Sequence, residues 1–235
     1  MKLLKEMAIV FFNLIDIYIH QIRILNFLKK YITEINTFID VGAHKGVYTD
    51  LFNKNFIIKN IYMFEPQKKI FEYLKKKYKK DKEISVFNNA VSNKNTIKKI
   101  YINKHDLTSG LTQINKKNFY LNIKAKLFGG NINEMITQTY NVKSIRLFDF
   151  FKKKKINSID LIKIDTEGHE LSVLEGLGSK IEKIKIILIE FHNNEIYLNY
   201  NSEKIHRFLI KKRFKLQKTI KFPLTNWEDR IYIRG

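Results

Sequence analysis

The chain has no cysteine, and only two prolines, nine glycines and one tryptophan. Without cysteine, disulfides and thiolate metal sites are excluded, which fits the reducing cytoplasm. With so little proline and glycine, no flexible linker divides the chain. Its 235 residues, 44% of them hydrophobic, are expected to build one α/β domain with a full core. Acidic residues are few beside basic ones, 23 against 44, and the formal charge is +21. Such a charge invites RNA or an anionic membrane as partner. Against the first, no strand face interleaves aromatic with basic residues. The basic clusters 75–77, 152–155 and 211–213 fall near expected helix ends and turns. Abundant Lys, Asn, Ile, Phe and Tyr are also what an AT-rich coding sequence produces. The expectation is a solvated basic surface with no specific nucleic-acid partner.

A long apolar run is missing too. Residues 1–31 place Leu3, Leu4, Met7, Val10, Phe11, Leu14 and Tyr18 at three- and four-residue steps, a helical period. Asn13, Asp16, His20, Gln21 and Arg23 interrupt them before the roughly 18 unbroken apolar residues of a membrane span. No small-residue cleavage site of a signal peptide follows. The expectation is a helical extension over 1–36, packed on the domain or on a second copy of the chain in a homo-oligomer. A lid over the substrate and a peripheral membrane contact are the alternatives.

The rest of the chain is organised around Phe38-Ile-Asp-Val-Gly-Ala-His-Lys-Gly46. It reads as a buried strand that ends in an acid, then a glycine-punctuated turn and a helix from about Val47 to Asn53. Asn60 to Glu65 reads as a second strand, Gln67 to Lys80 as a basic amphipathic helix, and Ile84 to Val91 as a third strand. Residues 97–103 look like an extra strand. Between 104 and 140 the pattern dissolves into polar sequence, read as an insertion over the active site. Val142 to Phe150 is expected to be an edge strand leading into a short helix. Ile159 to Asp165 and Ile184 to Phe191 are the next strands, with a helix opened by Thr166 to Glu170 between them. A helix over Ser202 to Lys212 precedes two strands, Phe214 to Ile220 and Asp229 to Ile233, that can pair as a hairpin. Strand–helix alternation predicts a doubly wound α/β sheet, made mixed by that hairpin.

A dinucleotide fingerprint, Gly-x-Gly-x-x-Gly, is absent. Asp40-x-Gly42-x-x-x-Gly46 lacks the middle glycine that admits a pyrophosphate, and its acid would repel one. This makes a nicotinamide-dependent dehydrogenase a distant reading. Glu65 closes the second strand, where a carboxylate can accept hydrogen bonds from both ribose hydroxyls. Asn89 and Ala90 close the third, where they could border an adenine edge.

These motifs, with Lys163-Ile-Asp-Thr-Glu-Gly-His-Glu170 and Ile189-Glu-Phe-His192, resemble the FkbM family of S-adenosylmethionine-dependent methyltransferases from about Thr37 to the C-terminus. The resemblance implies a class I methyltransferase domain over 37–235, Rossmann-like, with a seven-stranded sheet, helices on both faces and the last strand antiparallel. It also implies methyl transfer to oxygen, commonly a sugar hydroxyl in glycan or natural-product pathways. The expected S-adenosylmethionine contacts are Asp40, Gly42, Ala43, His44, Gly46 and Tyr48 around the first turn, Glu65 with Pro66, Asn89 with Ala90, and Asp165.

A hydroxyl acceptor must lose its proton around the transition state, so the site needs a base. Glu190 and His192 occupy alternate positions at a strand end and point to one side. Histidine as a residue type titrates near neutral pH, which makes His192 the expected general base. Asp165 is read as contacting the methionine amino group or the acceptor. Asp165, Glu190 and His192 could instead hold a divalent ion such as Mg²⁺. Glu167 sits where an acid is favoured by the helix dipole in any case, and His169 reads as a surface or capping residue. Thr108-Ser-Gly110 is a candidate substrate loop. The leading acceptor is a small molecule or glycan with a free hydroxyl. The alternatives are an RNA methyltransferase using the basic surface, and a non-catalytic membrane-surface or scaffold protein. No Asn/Asp-Pro-Pro-aromatic sequence, expected for methylating base amino groups, is present.

Overall fold

The structure is a computed structural model that describes residues 19–103, 109–127, 130–192, 196–222 and 227–235. Its first half runs α1 (Gln21–Leu28), β1 (Glu34–Val41), α2 (Val47–Asn55), β2 (Ile57–Phe64), α3 (Lys68–Lys77), β3 (Ile84–Phe87), β4 (Ala90–Val91) and β5 (Thr96–Asn103). Next come α4 (Phe119–Leu127), β6 (Ile136–Ile145), α5 (Leu147–Lys153), β7 (Ile159–Ile164) and α6 (Glu170–Gly176). The chain closes with β8 (Ile184–His192), α7 (Ser202–Lys211), β9 (Phe214–Lys221) and β10 (Trp227–Arg234).

Seven strands form the main sheet in the order β3-β2-β1-β7-β8-β10-β9. All pairings from β3 to β8 are parallel, and β10 inserts antiparallel between β8 and β9. The class I arrangement and its reversed last strand are therefore present. β7 is buried at every position and β8 at all but Lys185 and Glu190, as strands covered on both faces must be. Strand order reverses between β1 and β7, so the carboxyl ends of these two strands open a crevice.

Alternate residues of each strand feed two cores. Ile39, Val41, Ile162 and Ile164 pack with Leu147, Phe151, Val173, Leu174, Ile205 and Leu209 of α5, α6 and α7. Phe38, Leu161 and Leu188 pack on the other face with Ile24, Leu28, Phe52, Ile70 and Leu74 of α1, α2 and α3. Each fully buried Leu, Ile or Phe of this kind contributes about 1.5–3 kcal/mol. The helix α1 thus belongs to the domain core. The rest of the expected N-terminal pattern, residues 1–18, lies outside the described residues. Among the described residues no helix is long and apolar enough to cross a membrane.

Three expectations need correcting. The strand expected over Ile84 to Val91 breaks in two, because Asn88 donates its side-chain amide to the carbonyls of Glu65 (2.9 Å) and Pro66 (3.0 Å). Past this turn, β4 leaves the main sheet for a second one of order β4-β6-β5. The strand expected at Val142 starts earlier and is no edge: β6 is the middle of this small sheet, parallel to β4 and antiparallel to β5. The segment expected to be unpatterned therefore contains α4 and half of β6. Its strand carries only Val142 and Ser144 as buried positions, so hydrophobic alternation does not announce it.

Candidate active site

The crevice is shaped first by glycine. A Cβ on Gly42 would lie 1.7 Å from the carbonyl oxygen of Asp165. Only glycine, here at φ +80°, lets the end of β1 lie against the end of β7. The amides of Gly42 and Ala43 both donate to the carbonyl of Phe64 (3.0 and 3.1 Å), which ties the turn to β2 as well. Glu65 follows directly. Its carboxylate accepts from the backbone N–H of His44 (2.9 Å) and of Gln67 (2.7 Å). The residue is only 3% exposed, and burial pushes its pKa up to about 7 against the pull of those two donors.

A cavity opens between these strand ends. Of the residues expected to contact the cofactor, Gly42, His44, Glu65, Pro66, Asn89, Ala90 and Asp165 line it. Ala43, Asp40, Gly46 and Tyr48 do not. Asp40 shares parity with Phe38, so it points under the turn towards α2 and accepts from Thr49 Oγ1 at 2.7 Å. Burial raises its pKa even though Lys163 opposes the shift. Ala43 belongs to the core beside α2, and Gly46 leaves room for the Tyr78 hydroxyl. Tyr48 covers Lys163, whose Nζ is 4.3 Å from the ring centroid, and donates to Asp229 at 3.0 Å.

Residues not assigned to the cofactor site complete the cavity wall. Ser109, Gly110 and Leu111 arrive from the chain beyond β5, and Thr166, Glu167 and His169 from the turn before α6. Thr108 lies outside the described residues. The turn before α6 is held by Glu170. Its Oε1 accepts from Thr166 N, Thr166 Oγ1 and Gly168 N, each at 3.1 Å. Glu167 and Gly168 are both left-handed, at φ +55° and +90°. For a glutamate this conformation is strained, and such strain gathers at functional sites. The repeated acids and glycine of Thr166 to Glu170 are the sequence signal for this turn. His169 is half-buried at the N-cap position of α6, where its side chain makes no cap; instead its Nε2 lies 2.9 Å from Ser92 Oγ. Burial and then Lys98 push its pKa down to about 4, so it is neutral at physiological pH.

The expected catalytic group divides in two. Asp165 accepts from Lys163 Nζ at 2.7 Å. Burial would raise its pKa, but Lys163, a hydrogen bond from Glu190 and the nearby His192 together outweigh burial and pull it down to about 2. Glu190 sits against it, and burial followed by the Asp165 charge pushes the Glu190 pKa well above the usual carboxyl range. His192 is buried and does not line the cavity. Its Nε2 lies 3.8 Å from Glu190 Oε2 and 3.9 Å from Glu167 Oε2. Tyr197 donates its hydroxyl to Glu167. Glu167 is therefore the member of this cluster on the cavity wall, with His192 behind it. The trio whose donor atoms all lie within 4.8 Å of one another is Glu167, Glu190 and His192. Asp165 is not in it; it pairs with Lys163 and is hydrogen-bonded to Glu190.

The methyltransferase FkbM domain family matches the chain over residues 40–216. No curated protein matches it significantly. Among solved structures, a methyltransferase FkbM from Methylobacillus flagellatus KT is similar at TM-score 0.53 and 14% identity, over 84% of this chain and 43% of that one. An uncharacterised protein from Listeria monocytogenes serotype 4b is similar at TM-score 0.51 and 12% identity, over 90% and 66%. TrmK of M. capricolum, solved with S-adenosyl-homocysteine, is similar at TM-score 0.49 and 14% identity, over 90% and 67%. The chain thus spans less than half of the first and about two thirds of the others. At these identities the likeness is one of fold.

Proposed function

The chain belongs to the FkbM family of S-adenosylmethionine-dependent methyltransferases, and from that premise we propose that it methylates a hydroxyl oxygen of a sugar, in glycan or natural-product biosynthesis. The donor fits the residues present. Glu65 is a buried carboxylate on the cavity wall with lone pairs left over for two ribose hydroxyls. Gly42 and His44 of the first turn would face the methionine end, and Asn89 with Ala90 the adenine. A sulfonium methyl is already activated, so this chain's residues have to align the acceptor oxygen and take its proton.

One observation carries the choice of oxygen: a carboxylate on the cavity wall, Glu167, backed by a buried imidazole. Glu167 would accept the acceptor's proton as the new O–C bond forms and the S–C bond breaks. His192, 3.9 Å behind, would stabilise or relay it. Tyr197 keeps its own proton, because burial first and Glu167 next raise its pKa, and so orients Glu167 as a donor. This moves the base from His192 to Glu167 and makes the histidine its support.

The same geometry favours one variant of the reading. Glu167, Glu190 and His192 have the spacing of a divalent-cation site, and an ion there would orient the acceptor oxygens. Its imidazole donor suits a borderline metal better than the all-oxygen shell Mg²⁺ prefers. The test is transfer of labelled methyl to sugar glycosides and to RNA, with and without EDTA. Transfer to sugars that falls at least a hundredfold in Glu167→Gln supports the reading. Transfer to RNA alone overturns it. Loss of activity in EDTA, restored by metal, selects the metal-assisted variant.

A further inference from the structure

A second groove of about 440 Å³ adjoins the cavity and shares His169 and Leu111 with it. Its size falls within the range of small-molecule sites. We propose that this groove seats the acceptor, and that it selects an uncharged polyhydroxylated ring over an acceptor carrying phosphate or carboxylate. The inference rests on the sugar reading above and narrows it.

Position is the first argument. Gly168 lines the groove and Glu167 lines the cavity, so consecutive residues of one strained turn face the two spaces. An acceptor in the groove can extend a hydroxyl past His169 to Glu167. The walls are fixed by backbone pairing. Tyr101 and Gly110 exchange hydrogen bonds (2.9 and 3.1 Å), Leu198 N donates to Gln113 O (2.8 Å), and Ile114 pairs with Tyr197. Such walls are preorganised for a ligand.

Charge is the second argument. In this chain 29% of residues are charged, so about three would be expected among ten taken at random. None of the ten described residues lining the groove is Asp, Glu, Lys or Arg, and its histidine is held neutral. Phosphate and carboxylate sites recruit Arg or Lys, of which the chain has 44 to spare. Instead, Thr112, Ser172 and Asn199 offer side chains that both donate and accept, matching hydroxyl groups. Tyr101 and Leu198 supply apolar surface for the C–H face of a ring, and Gln113 Nε2 holds the Tyr101 hydroxyl at 2.6 Å.

The test uses the full chain loaded with S-adenosyl-homocysteine. Saturation-transfer NMR is recorded with neutral methyl glycosides of hexoses and 6-deoxyhexoses, and with their 6-phosphates. Neutral glycosides should show saturation and the phosphates should not. Tyr101→Ala, and separately the loop variant Asn199→Asp, should weaken glycoside binding at least tenfold without changing the affinity for S-adenosyl-homocysteine. No saturation by any neutral glycoside, preference for the phosphates, or indifference to both variants would overturn the proposal. Labelled-methyl transfer run in parallel separates the two failures. Transfer to sugars untouched by either variant sinks the groove and leaves the sugar reading standing. Transfer to RNA alone sinks both.

Discussion

A Glu65 carboxylate that held the ribose hydroxyls would tie cofactor binding to pH. It is buried at the end of β2, and burial raises its pKa to about 7. If its carboxylate holds the ribose hydroxyls, binding requires the ionised form, and the protein must release a proton to bind. Between pH 8 and pH 6 the ionised fraction then falls from about nine-tenths to about one-tenth, so affinity for S-adenosyl-homocysteine drops roughly tenfold. The same shift acts on the free protein with a defined sign. Folded Glu65 holds its proton more tightly than the unfolded chain does. Its contribution to stability is therefore full below the ordinary carboxyl pKa and is lost as pH rises through 7. Glu170, raised to about 7 by burial, adds to stability in the same direction but does not line the cavity. Replacing Glu65 by Gln keeps the shape and removes the charge. Loss of charge-assisted bonds of about 1.5–3 kcal/mol should weaken binding roughly 10- to 100-fold and flatten the pH dependence. Calorimetric titration of both proteins from pH 6 to pH 8.5 measures this. A wild-type affinity constant to within twofold across that window would refute the reasoning, as would a Gln variant that binds as tightly as wild type.

Other positions separate chemistry from architecture. Glu167→Gln should lower kcat about 10²- to 10⁴-fold while leaving S-adenosyl-homocysteine affinity near wild type by calorimetry. Gly42→Ala places a Cβ 1.7 Å from a backbone oxygen at φ +80°. It should either abolish soluble expression or, if folded, remove cofactor binding, since the β1 and β7 ends can no longer meet. Asp160 accepts from Asn36 N (2.8 Å) and Thr37 N (3.1 Å) and pairs with Lys185. Burial would raise its pKa, but these partners outweigh it and hold the pKa low. Asp160→Ala should cost about 1–3 kcal/mol for the orphaned amides, seen as a lower Tm with unchanged cofactor affinity. His20 Nε2 lies 2.8 Å from Asp229, and its ring packs edge-on against Trp227. His20→Ala should lower Tm by a similar free energy without altering kcat, because the contact anchors α1 and lies away from the cavity wall.

Much of this was legible along the chain. Strand ends carrying Gly42, Glu65 and Asp165 are local facts: each follows an apolar run and meets the crevice because parallel strands deliver their carboxyl ends to one edge. The last hairpin and α2 were equally visible, since their patterns are contained within a few residues. Parity along β1 could have placed Asp40 beneath the turn, because two residues earlier Phe38 already commits that side to α2.

Tertiary structure decided the rest. Nothing local separates Glu167 from His192 as the group that faces the cavity. That depends on a left-handed turn held by Glu170 and on Tyr197, which lies 30 residues away. Asp165 pairs with Lys163, two residues earlier, because a buried carboxylate needs a partner charge, and the pairing of β7 with β8 brings Glu190 against it. β6 was hidden because it sits in a small sheet with few buried positions, where hydrophobic period carries little signal. The groove beside His169 could not be read from sequence at all. Its walls come from the ends of β5 and α6 and from the segments around Gln113 and Asn199, and only folding brings those uncharged residues together. Sequence alone determined the class of sheet and the cofactor edge, because both follow from local pattern. Folding alone decided which acid faces the cavity and which residues line the groove, because both depend on side chains that are distant in the chain and adjacent in space.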